Sequence, residues 1–228
     1  MRDVAVTLET KADRRARILT QARMLLSMEG FEGLSLRKLA ARAGLTVPTI
    51  YNLVGGKEQV LLELALQMIA SIETALDDIA ESQPLERAEA IVLVAITEIE
   101  RAPDFHRAAL LAIDHLDRTG APPGWDRLSR QAAAMQEKAT LAAQRIGVLE
   151  GQISASLIAE HIFRTYRSAS RDWSLRRCSL PEFRRMALAG VYLGFAADAS
   201  PGLRPLLARK LRKLGRKPTR ITAMALGR

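Results

Sequence analysis

The sequence predicts an all-α protein, and three observations support that fold class. Apolar residues recur at the three- and four-residue spacing of helices through most of the chain, and no segment alternates in the way a strand does. Aromatic residues make up only 4% of the 228 residues, whereas Ala and Leu abound. Glycine and proline stand mostly between long uninterrupted stretches, where they separate one helix from the next.

Four helices are predicted in the first third of the chain. The first covers about 11–29 and the fourth about 57–79, with two short helices between them. Residues of the types that cap helix N-termini alternate with glycines that end helices. These positions are Gly30, Ser35, Gly44, Thr46 and Gly55-Gly56.

The remainder of the chain predicts six further helices, most of them opened by a proline or closed by a glycine. Their approximate ranges are 84–101, 103–120, 125–148, 153–172, 181–197 and 203–217.

Composition excludes several classes of protein. A largely disordered chain is excluded, because 48% of the residues are hydrophobic. The single cysteine, Cys178, excludes an internal disulfide and multi-cysteine metal sites. The longest uncharged apolar run, 186–197, is too short to span a bilayer, and the first residues do not form a secretory signal. We therefore expect a cytoplasmic protein.

Neither metal, cofactor nor enzymatic activity is predicted. His106, His115 and His161 are scattered along the chain without the partners that a zinc site needs. No nucleophile motif or glycine-rich phosphate loop stands out. An α-helical enzyme is therefore disfavoured by the absence of a catalytic cluster.

Residues 35–54, SLRKLAARAGLTVPTIYNLV, are the informative segment. They predict two short helices joined by a turn at 43–46, where Gly44 permits the positive φ that lets the second helix leave steeply. A short helix that exposes its face after a basic helix fits the major groove of DNA. The side chains left without an evident core role are Val47, Pro48, Thr49, Asn52 and Leu53.

The segment from about 11 to 69 resembles the tetracycline-repressor family of bacterial transcription regulators. The resemblance is carried by Gly30-Phe31, by Ser35-x-x-x-Leu39-Ala40-x-x-Ala43-Gly44 and by Pro48-Thr49-Ile50-Tyr51-x-x-Val54-x-x-Lys57-x-x-Val60-Leu61. Many relatives have Phe where this chain has Val54, an apolar exchange that concerns local packing only.

The resemblance implies a division into domains. A three-helix DNA-binding domain covers 11–71, with its helix-turn-helix at about 34–53. A larger helical domain, which binds an effector and forms the dimer, covers 72–217. Residues 218–228 are expected to be a disordered tail.

The same resemblance implies roles for particular residues. Tyr51 is expected to contact phosphate and Lys57 to anchor the DNA backbone, while Asn52 is suited to pair with adenine. Hydroxyl side chains suit phosphate or base hydrogen bonds, and apolar ones suit thymine methyls. The predicted DNA-binding set is Ser35, Arg37, Thr46, Val47, Pro48, Thr49, Tyr51, Asn52, Leu53 and Lys57.

Simpler interpretations stay open for these residues. Tyr51 also suits a core aromatic and Asn52 a solvated polar residue, and two short helices joined by a turn also occur in plain helical packing. The arginines of the first helix suit either a flanking phosphate or a solvated face.

Aromatic and methionine side chains in the second part of the chain are candidates to line an effector cavity, although such residues also form ordinary core. The candidates are Phe105, Trp125, Met135, Phe163 and Tyr166.

Two long helices near the end, about 153–172 and 182–197, predict a dimer. The second is apolar nearly all round, so it must be buried in a core or an interface. Its small residues, among them Gly190 and Gly194, permit a close approach of a partner helix. The family forms a two-fold four-helix interface here, so the resemblance implies a homodimer; the alternative is a buried monomer core.

Positive charge is concentrated at the end of the chain, where residues 201–228 hold nine Lys and Arg and no acid. Within them, 203–217 predict a basic amphipathic helix. Such a helix suits a membrane surface, added DNA affinity, or simple packing on the domain with its basic side in water.

The sequence as a whole predicts a ligand-responsive homodimeric regulator that binds double-stranded DNA at a pseudo-palindromic operator, as a repressor rather than an activator. Its effector is a small molecule, and no membrane partner is expected. The alternative is a helical membrane-surface or adaptor protein that uses the basic C-terminal helix.

Overall fold

The computed structural model describes residues 10–120 and 123–215. Within these residues ten helices form, and the only other pairing is an isolated antiparallel bridge between Leu149 and Ala199. The all-α prediction is therefore confirmed. The helices are α1 (Lys11–Gly33), α2 (Leu36–Ala43), α3 (Val47–Leu53), α4 (Lys57–Ala75), α5 (Pro84–Arg101), α6 (Pro103–Thr119), α7 (Trp125–Arg145), α8 (Ala155–Ser174), α9 (Leu180–Ala196) and α10 (Arg204–Gly215).

Two helices end earlier than the sequence predicts. Helix α4 stops at Ala75 rather than near residue 79, because the chain tightens into a turn whose Leu76 carbonyl accepts a hydrogen bond of 2.9 Å from Arg87 Nη1. Arg87 also donates to the Ile79 carbonyl. Helix α7 stops at Arg145 because Gly147 adopts a φ of 74°, which a right-handed helix cannot continue.

The buried apolar side chains form two clusters. The first is built by α1 to α4 and includes Phe105 of α6 and Trp125 of α7. The second is built by α5 and α7 to α10. Helices α6 and α7 thus carry the first cluster into the second part of the chain, so packing is continuous across the domain boundary proposed near residue 71.

Arginine side chains attach α6 to its neighbours at both sides. The Arg23 guanidinium of α1 lies 4.1 Å from the centroid of the Phe105 ring. Arg107 Nη1 donates to the carbonyl oxygens of Trp173 and Ser174, at 2.5 and 3.2 Å, at the end of α8. Helix α6 is therefore held between α1 and α8.

The glycines of α9 serve packing within the chain. A Cβ atom added at Gly190 would lie 2.8 Å from Thr165 Cγ2, and one at Gly194 would lie 3.0 Å from Ile162 Cγ1, both on α8. The small residues that were expected to admit a partner helix thus admit α8 of the same chain. Any dimer interface formed by α8 and α9 therefore lies on their solvent-facing side.

The basic helix α10 is packed on the domain. Leu207 is buried in the second cluster, and Lys210 Nζ lies 2.7 Å from Glu89 Oε1 of α5. Of the three roles considered for 203–217, this arrangement supports packing with the basic side in water. The predicted disorder of 218–228 lies outside the described residues.

No helix within 10–120 and 123–215 combines the length and apolar character needed to cross a membrane.

His106 predicts a specific pH dependence of stability. Burial, and then the positive charge of Arg23, lower the pKa of His106 from 6.5 to about 4, against a smaller opposing effect of Glu98. Between these two values the unfolded chain binds more protons than the folded chain, so the free energy of unfolding falls as the pH falls. We expect this residue to account for up to about 3 kcal/mol of that fall.

Urea unfolding at pH 7 and pH 4.5 measures this effect. The His106→Gln variant should lose less stability between the two pH values than the unaltered chain does. His115→Gln, an exposed histidine of the same helix, is the matched control and should behave like the unaltered chain. Identical pH dependence in His106→Gln and the unaltered chain would contradict the expectation.

Candidate functional site

Helix α3 presents four side chains to solvent on one side. Tyr51 is 64% exposed and Val47 is 38% exposed, and Pro48 and Asn52 are exposed as well. These residues form two pairs spaced by four, so they are neighbours on the helix surface. We call Val47, Pro48, Tyr51 and Asn52 the α3 face.

The opposite side of α3 anchors the helix in the first cluster. Ile50 is fully buried, and Val54, directly after the helix, is buried with it. Leu53 is half-buried against the same cluster, so the expectation that it has no core role is wrong. A helix of seven residues is too short for its hydrophobic periodicity to show whether Asn52 or Leu53 turns inward.

Both predicted N-caps and the predicted turn form. Ser35 Oγ accepts from the Lys38 N–H at 3.3 Å, and Thr46 Oγ1 accepts from the Thr49 N–H at the same distance. Gly44 adopts φ 62° and ψ 36°, the left-handed conformation that allows α3 to leave α2. Because the Thr46 and Thr49 hydroxyls lie 2.8 Å apart, they bond to each other at the N-terminus of α3.

Arg15 fixes the far end of α3. Its Nη1 donates to the Leu53 carbonyl at 2.6 Å, and its Nη2 lies 2.6 Å from Glu63 Oε1 of α4. The arginines of the first helix were expected either to contact a flanking phosphate or to form a solvated face. The contacts of Arg15 with Leu53 and Glu63 support neither interpretation for this residue. It is a positioning residue, and no sequence signal links it to a carbonyl 38 residues away.

Lys57 is the first residue of α4, and its side chain reaches the end of α1. Its ammonium group is 4.0 Å from the centroid of the Phe31 ring and 3.9 Å from Glu32 Oε2. Glu32 is exposed, so the ion pair is a weak one. The Lys57 side chain is thereby held at a defined place near the surface.

Helix α2 adds positive charge beside α3. Arg37 and Lys38 are exposed, and Lys38 pairs with Glu29 of α1. Arg42 is exposed near the turn, with Nη2 3.9 Å from Met28 Sδ. The predicted residues from Ser35 to Leu53 thus belong to the adjoining helices α2 and α3 and their caps, with Leu53 turned partly into the core, and Lys57 begins α4.

A cavity of about 130 Å³ is lined by residues of α4, α5, α6, α7 and α8. Three of the five predicted lining residues, Met135, Phe163 and Tyr166, line it. Most of the wall is aliphatic, with a few polar side chains. The polar lining residues are Asp114, Ser129, Gln136, Tyr166, Arg167, Ser170 and Arg171.

The prediction that Phe105 and Trp125 line the cavity is wrong. Phe105 is buried in the first cluster beneath the Arg23 guanidinium. Trp125 is buried in the same cluster, and its Nε1 donates to Asp117 Oδ1 at 2.6 Å. Both aromatic side chains are part of the core. Composition and spacing in the sequence do not distinguish a core aromatic from one that lines a cavity.

The outward side of α8 and α9 carries exposed apolar side chains. Leu157 is 58% exposed, Leu193 is 54% exposed and Met186 is 42% exposed. We call Leu157, Met186 and Leu193 the α8/α9 face. The larger apolar residues of α9, such as Phe183 and Phe195, are buried within the chain instead.

Comparisons with known proteins agree with this geometry. Residues 18–64 match the family described as bacterial regulatory proteins, tetR family. The HTH-type transcriptional regulator EthR of Mycolicibacterium smegmatis is 38% identical over 79 residues, which are 35% of this chain and 36% of EthR. The aligned segment thus spans about a third of that relative's length.

Solved structures share the fold over most of the chain. SmeT, the repressor of the Stenotrophomonas maltophilia multidrug efflux pump SmeDEF, has a TM-score of 0.64 at 18% identity, covering 83% of this chain and 92% of SmeT. FadR from Bacillus subtilis, solved in complex with stearoyl-CoA, has a TM-score of 0.63 at 15% identity, covering 79% of this chain and 97% of FadR. At these identities the likeness concerns the fold.

Proposed function

We propose that this chain, whose residues 18–64 match the tetR family of bacterial regulatory proteins, is a ligand-responsive transcriptional repressor that binds DNA as a homodimer. A single observation carries the proposal. The α3 face is exposed on a short helix whose ends are capped and whose far end is fixed by Arg15. An exposed helix surface that is held in a fixed position is suited to insertion into the major groove of DNA.

The α3 face and its surroundings divide into two kinds of DNA contact. Tyr51 and Lys57 contact phosphates and set the register, together with hydroxyl groups of Ser35 and Thr46. Asn52 reads base edges, and Val47 and Pro48 meet thymine methyl groups. Arg37 adds charge for the DNA backbone from α2.

The homodimer forms through the α8/α9 face. Exposed apolar side chains on two adjacent helices offer a surface that a second copy buries. A two-fold dimer places two α3 helices in successive major grooves, about 34–36 Å apart, on a pseudo-palindromic operator.

The effector binds in the cavity lined by α4 to α8. Two proteins that share this fold have been solved with organic ligands, SmeT with triclosan and FadR with stearoyl-CoA. Helix α6 lines the cavity with Leu110 and Ile113 and also packs on α1 through Phe105. A ligand that favours a different α6 position shifts the dimer toward a conformer in which the two α3 helices no longer fit the operator.

The alternative of a membrane-surface or adaptor protein receives no support from α10. The amphipathic face on which it rested is packed against the second cluster. We place the protein in the cytoplasm, where a bacterial regulator meets DNA.

Capture of genomic fragments by the purified chain, followed by sequencing, tests the proposal. We expect recovered fragments to share a sequence with two-fold symmetry, and binding to weaken steeply with added salt. Recovery of fragments without a shared sequence, or of none in dilute buffer, would refute it.

A further inference from the structure

Gln136 is an unusual member of the cavity wall. The residue is 3% exposed, yet among the described residues no donor lies within hydrogen-bonding distance of its Oε1. Its Nε2 donates to the Ala88 carbonyl at 3.1 Å. Since a carbonyl can only accept, this bond fixes the orientation of the amide and leaves the oxygen as the free group.

An acceptor left without a donor in a buried site costs free energy. Such groups are rare in natural proteins, and the residue that carries this one lines an apolar cavity. Oε1 itself has almost no accessible surface, so a ligand reaches it after a small shift of the neighbouring side chains, and a hydrogen bond donated there removes the cost.

The ionisable groups of the wall are already compensated. Arg171 Nε lies 3.5 Å from Asp114 Oδ1, and Arg167 pairs with Asp117. Burial raises the pKa of Tyr166, so its hydroxyl remains uncharged at neutral pH. A charged ligand would therefore find no uncompensated partner among these side chains, and its burial would be costly.

The size of the cavity limits the part of the ligand that it encloses. An apolar cavity of roughly 150 Å³ accommodates benzene. The cavity here, at about 130 Å³, matches one aromatic ring rather than a whole drug-sized molecule.

We propose that the effector is an uncharged molecule with an aromatic or similarly compact apolar group, and that a hydroxyl or N–H on this group donates to Gln136 Oε1. This inference rests on the proposed function, because it names the chemical class of the effector. It assigns Gln136 as the residue that distinguishes a donor-bearing ligand from a plain hydrocarbon.

Two probes of nearly equal shape test this inference. They are 4-ethylphenol, which carries a hydroxyl donor, and 4-ethyltoluene, which has a methyl group at the same position. Calorimetric titration of the full chain without DNA gives the ratio of their dissociation constants. Gln136→Leu removes the acceptor at similar side-chain volume. Because the hydration of each probe is the same in both titrations, it cancels when the ratio for the variant is compared with the ratio for the unaltered chain.

We expect Gln136→Leu to weaken 4-ethylphenol about tenfold relative to 4-ethyltoluene. Ser129→Ala, which alters another polar lining residue, should leave the ratio unchanged. Ala132→Phe, which fills the cavity, should abolish binding of both probes. An unchanged ratio in Gln136→Leu, no binding of either probe to the unaltered chain, or persistent binding by Ala132→Phe would each overturn the inference.

DNA capture on the same preparation separates this inference from the proposed function. If DNA is bound specifically but the probe ratio does not depend on Gln136, the effector class is wrong and the regulator stands. If the ratio behaves as expected but no DNA is bound, the cavity chemistry stands and the regulator is wrong.

Discussion

Tyr51→Phe is expected to weaken binding to every duplex by a similar factor, whereas Asn52→Ala is expected to change which sequences are bound. Tyr51 is 64% exposed on the α3 face, and in the proposed complex its hydroxyl donates to a phosphate, a group that is the same in every sequence. The variant loses one such hydrogen bond in each of the two half-sites, at roughly 1 kcal/mol each. The total of about 2 kcal/mol corresponds to about a thirtyfold loss of affinity.

In the proposed complex Asn52 contacts a base edge. A bidentate amide–adenine pair supplies about 1–3 kcal/mol of discrimination per base pair. Asn52→Ala should therefore reduce the preference for adenine at one position of each half-site by roughly 5- to 150-fold, with little change on unrelated DNA.

Competition binding against duplexes that vary one base pair at a time measures both effects. Gln67→Ala, which removes an exposed amide from α4, is the matched control and should alter neither affinity nor preference. A uniform loss in Asn52→Ala together with a changed preference in Tyr51→Phe would reverse the two roles.

Leu157→Glu combined with Leu193→Glu is expected to yield a folded monomer that binds the operator more than a hundredfold less tightly. Both side chains are more than half exposed in the single chain, so the substitutions should leave its fold intact. In the dimer they would bury carboxylates without partners. Uncoupling the two half-sites removes the gain of linked binding, which is about 10²–10⁴.

Sedimentation equilibrium and operator titration of the double variant test this prediction. Leu141→Glu, at an apolar position of α7 that is 47% exposed, is the control and should remain a dimer with unaltered affinity. A double variant that stays dimeric would place the interface elsewhere.

Local signals predicted the α3 region well. Caps at Ser35 and Thr46 and the left-handed Gly44 depend on residues close together in the chain, so their geometry follows from the sequence. The side of α3 that is exposed follows in the same way, apart from Leu53, which lies at the edge between the buried and exposed sides.

Contacts between distant residues were not predictable in this way. Arg15 reaches the Leu53 carbonyl, and Gln136 reaches the Ala88 carbonyl, across 38 and 48 positions of the chain. The positions of aromatic side chains were not predictable either. Phe105 and Tyr166 look alike in the sequence, but the packing of α6 places Phe105 in the core and the packing of α8 places Tyr166 at the cavity.

Hydroxyl-radical footprinting of the purified chain on a captured genomic duplex tests whether a dimer places two α3 helices on the DNA. We expect two protected patches on one face of the duplex, centred about 34–36 Å apart, with two copies of the chain bound. A monomer that protects one patch, or a chain that protects none at low salt, would contradict this expectation.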